Sequence, residues 1–354
     1  METYIWQQQG WPYLRWNIKE LSYVLGEVRN RQGRLAGKVS LLGLDLKKEI
    51  LLRAITTDVI KSAELEGKTL NEELVCASVA RQLKLNNTSG VAKIDPAIDR
   101  RVQVTTDSLL NYYQPVTEER IFEWKKALNM SGGNPDYRNT VMGKTAHAQT
   151  GYLYMQDSSL IPDEMKRFTK WLNTIHPTDP VIKAGVAHLR LTFLHPFDED
   201  NGQIARTLTD LLLTRADDSP QRLYSLSAQI YNQRDVYRRV MKKAQNGSLD
   251  ITEWLMWFLY CFETALIEAE KALTGVLEKS KFWEKYRLIR LNDRQVKMIN
   301  MMWEGLDCKL TSSSWADLNL CSPDTALRDI QYLISKNILY KKNSGGRSTS
   351  YALN

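Results

Sequence analysis

The chain has 354 residues, 43% of them apolar and 25% charged, with 48 Lys and Arg against 41 Asp and Glu for a net charge of +7. Such a composition suits a soluble globular protein of two or three domains and excludes a disordered or collagenous chain. No window approaches the ~20 consecutive apolar residues of a membrane span, Met1 to Trp6 lack the basic and apolar regions of a signal peptide, and Cys76, Cys261, Cys308 and Cys321 lack metal-ligand spacing, so a reduced, cytoplasmic setting is expected.

Trp6, Trp11, Pro12, Tyr13 and Trp16 open the chain as a short strand or turn packed on helices. Helical periodicity then runs over Ser22–Gly33 and Leu46–Glu66. In the second helix Leu52, Ile55, Val59, Ser62 and Glu66 follow i, i+3, i+7, i+10 and i+14, so a Ser and a Glu close an apolar stripe. Gly67 stops this helix. A carboxylate on the inward face of a helix C-terminus is unfavourable twice over, by desolvation and by the dipole, and it requires a cation. Asn71 caps the next helix ahead of Glu72 and Glu73. Asn86–Gly90 reads as a loop and domain boundary. A further helix is expected from Thr117 to Leu128. Ser131–Pro135 breaks the chain, and Tyr137 to Met155 reads as extended pieces around Gly143 and Gly151.

Val181, Ala184, Ala187, His188, Leu191 and Leu194 recur at helical spacing, which predicts a buried helix ending near His195, where Pro196 cannot continue the ladder. Ile204, Leu208, Leu211 and Leu212 restart the period. The intervening residues therefore form a short loop feeding a helix N-terminus at about Asn201-Gly202. Its free N–H groups and dipole make an anion site, and Gly202 lets the backbone approach phosphate closely. In this order His195 can accept a proton from an attacking hydroxyl. Glu199 is a hard oxygen ligand for Mg²⁺. Arg206, one turn into the helix, can clamp phosphate oxygens with its planar fork. Phosphoryl-type transfer requires little more than such positioning and electrostatics.

Beyond the helix that starts at Asn201-Gly202, Ile251 to Leu273 is a long amphipathic helix whose Trp254, Trp257, Phe258 and Tyr260 read as core. From about Leu291 the tail reads as a separate domain, with helices over Asp293–Trp303 and Ser312–Leu318 and a third after the capping run Ser322-Pro323-Asp324. The third helix is expected to bury Ala326, Leu327, Ile330, Leu333 and Ile334 and to leave Arg328 and Gln331 outward. Ile338–Lys342 and Ser348–Ala352 flank a Gly345-Gly346 turn. Three helices followed by a basic hairpin look like a winged helix. Residues 281–354 hold 12 Lys and Arg against 7 Asp and Glu, which makes DNA the first candidate partner and a protein contact the second.

The run from His195 to Arg206 resembles the motif of the Fic family, H-P-F-x-(D/E)-G-N-G-R-x-x-R. His195, Pro196, Phe197, Glu199, Asn201, Gly202 and Arg206 match, whereas Asp200 stands where Gly is usual and Gln203 where the first Arg is usual. Ser62–Gly67 resembles the family's inhibitory motif, (S/T)-x-x-x-E-(G/N). The resemblance implies a mainly α protein: an all-helical Fic core over 87–280 with a small β-hairpin flap, a helical N-terminal module over 1–86 carrying the inhibitory helix, and the winged helix over 291–354. It implies an autoinhibited protein adenylyltransferase that moves AMP from ATP to a Tyr, Thr or Ser hydroxyl of a protein target with Mg²⁺, and that also reverses the transfer. His195 would be catalytic and Glu199 the metal ligand. Asn201, Gly202, Gln203 and Arg206 would bind phosphates, Tyr237 and Gln245 would line the base, and Ser62 and Glu66 would be inhibitory, Glu66 pairing with Arg206. The flap would hold the target segment by strand addition. The two departures remove a cation from the phosphate cradle and add a carboxylate beside it, which points to weaker ATP binding or an altered phosphate pose. They keep open an alternative, a DNA-binding regulator with a degenerate, nucleotide-sensing Fic core. A homodimer is a further candidate assembly.

Overall fold

The computed structural model describes residues 4–85, 94–129, 133, 135–139, 157–306, 309–342 and 349–354. The Asn86–Gly90 loop, most of the Tyr137–Met155 stretch and the Gly345-Gly346 turn lie outside these residues. Among them the fold is mainly α, with fourteen α-helices and one two-stranded sheet, as the helical periodicities require. None of the described helices is long and apolar enough to cross a membrane. The chain divides into two compact units, Met1–Lys271 and Ala272–Asn354.

In the first unit α1 (Ile18–Ser40) is capped by Asn17 and buries Leu21, Val24, Val28, Leu35 and Val39 along one stripe, and so runs beyond the stretch expected. α2 (Leu44–Leu65), α3 (Glu72–Gln82) and α4 (Pro96–Leu110) share a core of Ile55, Val59, Val75, Val79, Ile98, Val102 and Leu109. α4 begins with Asp95 as N-cap and Pro96 in its first turn, a start signal that periodicity did not bring out. The reason is its buried face, where Arg101, Thr105, Thr106 and Ser108 interrupt the apolar residues. α5 (Glu118–Leu128) and α6 (Ile161–Asn173) follow.

α7 (Pro180–Leu194) and α8 (Asn201–Asp217) form the central pair, buried on all sides through most of their length, the pattern of helices interior to a bundle. α8 packs against α7, α4, α2 and α5, which places its N-terminus among the ends of elements far apart in sequence. α9 (Leu226–Asn232), α10 (Arg234–Gln245) and α11 (Thr252–Tyr286) complete the helices up to the tail, α11 continuing well past Leu273.

The second unit contains α12 (Asp293–Glu304), α13 (Ser312–Asn319), α14 (Pro323–Ser335), β1 (Leu339–Lys342) and β2 (Ser350–Leu353). The strands pair antiparallel, Leu339 with Leu353 and Lys342 with Ser350. Met298, Ile299, Leu310, Trp315, Ala326, Ile330, Leu333 and Ile338 form its core. One expectation is corrected, since Leu327 is 40% exposed while Asp329 is buried. Asp329 accepts hydrogen bonds from Asn292 Nδ2 and Arg294 Nε, both at 2.9 Å. These contacts turn the inward face of α14 toward position 329.

Candidate active site

α7 ends at Leu194, and His195 is its C-cap, in the left-handed region at φ +45° with its N–H bonded to Leu191 O at 3.0 Å. That conformation is uncommon for a residue with a Cβ, and one side chain outside the helix secures it. Arg138 donates from Nε to His195 O at 2.7 Å and from its backbone N–H to Pro196 O at 3.0 Å. Burial first, and the Arg138 guanidinium second, hold the His195 imidazolium well below its ordinary pKa. The ring is therefore neutral at pH 7, the form that accepts a proton.

Phe197 is buried against Phe122 and Tyr137, with ring centroids 5.6 and 6.0 Å away. The Asn201 side chain closes the loop, taking the Phe197 N–H at 3.0 Å and donating to Phe197 O at 2.6 Å. Its side chain is thus a loop brace, and what it offers a ligand is its backbone N–H. Asp198 and Glu199 project into solvent.

At the start of α8 the unbonded backbone N–H groups of the first turn and the helix dipole favour an anion. The Glu66 carboxylate lies against Gly202 in that turn. A Cβ on Gly202 would run into Glu66 Oε1 and lie 3.0 Å from Arg206 Nη1, so only glycine allows this approach with both side chains as they stand. Arg206 donates from Nη2 to Glu66 Oε1 at 2.7 Å and to Ser62 O at 2.9 Å, and from Nε to Ser62 Oγ at 2.9 Å. Ser62, Glu66 and Arg206 are thus brought together across 140 residues. The meeting depends on how α2 ends. Glu66 is its C-cap, Gly67 takes φ +71°, and Lys68 N–H returns to Ala63 O, a Schellman-type stop.

Asp200 and Gln203 are both buried. Asp200 sits at φ +62°, which accounts for a glycine being usual there and for Asp being among the side chains that accept it. Its carboxylate does not stand bare beside the anion position. Lys68 Nζ lies 3.0 Å and Lys125 Nζ 2.9 Å from its oxygens, and Arg101 Nη2 lies 4.0 Å away. Burial alone would push the Asp200 carboxyl up, but the hydrogen bonds and charges of Lys125 and Lys68 outweigh it and hold it below the usual range. Engaged in this way, Asp200 is not a spare metal ligand. The Gln203 side-chain oxygen accepts from Arg101 Nη1.

Tyr237 is held on α10 by a 3.1 Å contact between its hydroxyl and His188 Nε2, with Trp257 at 5.3 Å between ring centroids. Gln245 is buried and donates to Asn246 Oδ1 at 3.0 Å. Among the described residues no group of three His, Cys, Asp or Glu side chains is placed to hold a metal. A single exposed carboxylate such as Glu199 suits Mg²⁺, which takes its remaining ligands from phosphates and water.

Sequence reasoning missed Lys68, Arg101, Lys125 and Arg138. The Asp95-Pro96 cap was the available signal for the helix carrying Arg101. No local signal marks the other three.

Residues 4–85 match a family described as a domain of unknown function, DUF4172, and residues 115–213 match the Fic/DOC family. The protein adenylyltransferase Fic of Drosophila yakuba is 28% identical over 204 residues, 57% of this chain and 35% of that protein. Its counterpart in Drosophila ananassae is 35% identical over 104 residues, 29% of this chain and 19% of that protein. The chain thus spans about a third, or less, of the length of these curated relatives. A Fic family protein from Desulfovibrio desulfuricans G20 shares the fold, with a TM-score of 0.56 and 17% identity over 97% of this chain and 98% of that one.

Proposed function

We propose that this chain, which carries a Fic/DOC family domain, moves AMP from ATP to a Tyr, Thr or Ser hydroxyl of a protein target and is restrained by its own α2. The observation that carries this reading is the Glu66 carboxylate on the α8 N-terminus, with the fork of Arg206 bonded to Glu66 and Ser62. An anion site filled by the chain's own carboxylate is a site closed to a triphosphate.

With Glu66 displaced, the N–H groups at the start of α8 and the Arg206 guanidinium would hold the phosphates. His195 takes the proton of the attacking hydroxyl, whose oxygen bonds to the α-phosphorus as the bond to the β-phosphate oxygen breaks and pyrophosphate leaves. Glu199 would hold Mg²⁺, which when bound offsets charge on the phosphates. Tyr237 and Gln245 would line the base. In the reverse direction Glu66 would position a water for removal of AMP. Residues 1–86 then act as the regulatory module, 87–280 as the Fic core and 291–354 as a winged helix, in a cytoplasmic setting where ATP is available.

The test is incubation with α-labelled ATP and Mg²⁺, wild type beside Glu66→Gly, alone and with cell extract. Increased label in the variant is expected. Equal label and equal ATP affinity would reject the restraint, and no label from either protein would reject transfer.

A second reading concerns the tail. Arg328 and Gln331 on α14 and Lys341 and Lys342 on β1 are all exposed, which supports DNA binding by residues 291–354 and a regulatory role in which the Fic core senses nucleotide.

A further inference from the structure

Four cations converge where α8 begins: Lys68 after α2, Arg101 on α4, Lys125 on α5 and Arg206 on α8 itself. Two carboxylates are bonded to them, Asp200 and Glu66. The positive end of the α8 dipole adds to that excess. Arg101 is the least compensated of the four. Its side chain is only 8% exposed, and its nearest carboxylate, Asp200 at 4.0 Å, already binds two lysines at 3.0 and 2.9 Å. Its hydrogen bond goes to a neutral amide, the Gln203 oxygen, and Glu66, already bonded to Arg206, adds only a weaker attraction than Asp200. A buried guanidinium so placed is costly unless an anion completes it.

The anion present, Glu66, brings one charge and sits at the end of α2 on a flexible side chain. A polyphosphate brings several. The position of Arg101 is also telling, because it abuts residue 203, the place in the first turn of α8 where the sequence carries a neutral side chain.

We infer that Arg101 is a phosphate-binding residue of this site, its guanidinium supplying from α4 the cation that position 203 lacks, and that Asp200 is the hub holding Lys68, Lys125 and Arg101 around the phosphates. The inference rests on the nucleotide-donor reading above. It turns the two departures from the motif into one device: the carboxylate at 200 gathers cations from three other elements, and the amide at 203 orients one of them.

The test uses the full chain in the Glu66→Gly background, with calorimetric binding of ATP and of tripolyphosphate, and thermal melting as the check on folding. Arg101→Met keeps the apolar stem and should weaken both ligands about 10–100-fold, the value of one charged hydrogen-bonding group. Arg101→Lys, which keeps the charge without the fork, should lose less. Adding Gln203→Arg to Arg101→Met should restore most of the affinity, because the cation returns to the same space from α8, whereas a purely structural role for Arg101 would not be rescued. Unchanged affinity for both ligands in folded Arg101→Met, or no recovery with Gln203→Arg, overturns the inference while ATP binding by the parent leaves the donor reading standing. A parent that binds tripolyphosphate but not ATP rejects the donor reading instead, and the Arg101 series is then read on tripolyphosphate alone. A parent that binds neither overturns the phosphate cradle itself.

Discussion

His195 is half-buried beside Arg138, and its imidazolium is disfavoured by burial and then by that cation. A solvated imidazole loses half its base form near pH ~6.5, whereas His195 stays neutral well below that. The rate of AMP transfer by Glu66→Gly should therefore hold level as pH falls through about 6.5, its acid limb lying lower. An acid limb centred at the ordinary histidine value in a pH–rate profile would refute the assignment of His195 as a desolvated base. In the same background His195→Ala should lower the rate by roughly 10²–10⁴-fold with ATP affinity nearly unchanged, because a base acts on the hydroxyl proton and not on the bound donor. Asp200 poses a different balance. Replacing it with Gly relieves left-handed strain worth about 1 kcal/mol, but removing the carboxylate from half-buried Lys125 and buried Arg101 costs about 3 kcal/mol. Asp200→Gly should thus be less stable by about 2 kcal/mol in urea denaturation, the difference of those two effects. A variant as stable as its parent would mean that the lysines find solvent at no cost.

The element on which the proposed restraint depends is α2. Glu66 and Ser62 hold Arg206 from its last turn, and one turn before Ser62 the buried Asp58 faces the buried Arg222 at 3.4 Å. Arg222 also pairs with Asp210 of α8, and Ser225 Oγ donates to Asp58 at 2.6 Å. α2 is therefore pinned to the motif helix by a buried ion cluster, and displacement of Glu66 need involve only the helix end and its side chain. Arg222→Met strands two buried carboxylates and should cost about 3–5 kcal/mol of stability by chemical denaturation. Ser62→Ala removes one hydrogen bond from Arg206, worth about 1 kcal/mol, so it should raise labelling from ATP far less than Glu66→Gly does. Equal activation by the two would place the restraint in the helix position and not in the carboxylate.

At the scale of the whole molecule, each of the two units has its own core, and the tail adds exposed cations to a chain of net charge +7. If residues 291–354 bind DNA, the affinity of the full chain should fall steeply with salt, and Lys341→Glu with Lys342→Glu should weaken binding to every duplex while reducing the log–log salt slope by about 2. No change in fluorescence anisotropy with DNA at low salt would reject this reading. Much was legible in the sequence because it is local. The end of α7 and the start of α8 follow from apolar spacing and Pro196, and the acidic close of α2 from a stripe that ends in Ser62 and Glu66. The cation for Glu66 was also legible as a need, since a desolvated carboxylate at a helix C-terminus requires one. What tertiary structure alone decided is which side chains meet there. Lys68, Arg101 and Lys125 reach Asp200 from three segments, the first 132 residues away, and Arg138 holds His195 from outside the motif. Taken singly each is an ordinary polar residue, and Arg101 even obscures the stripe of its own helix. Periodicity records which face of a helix turns inward, but the electrostatic balance of a site depends on distances between elements, and only packing sets those.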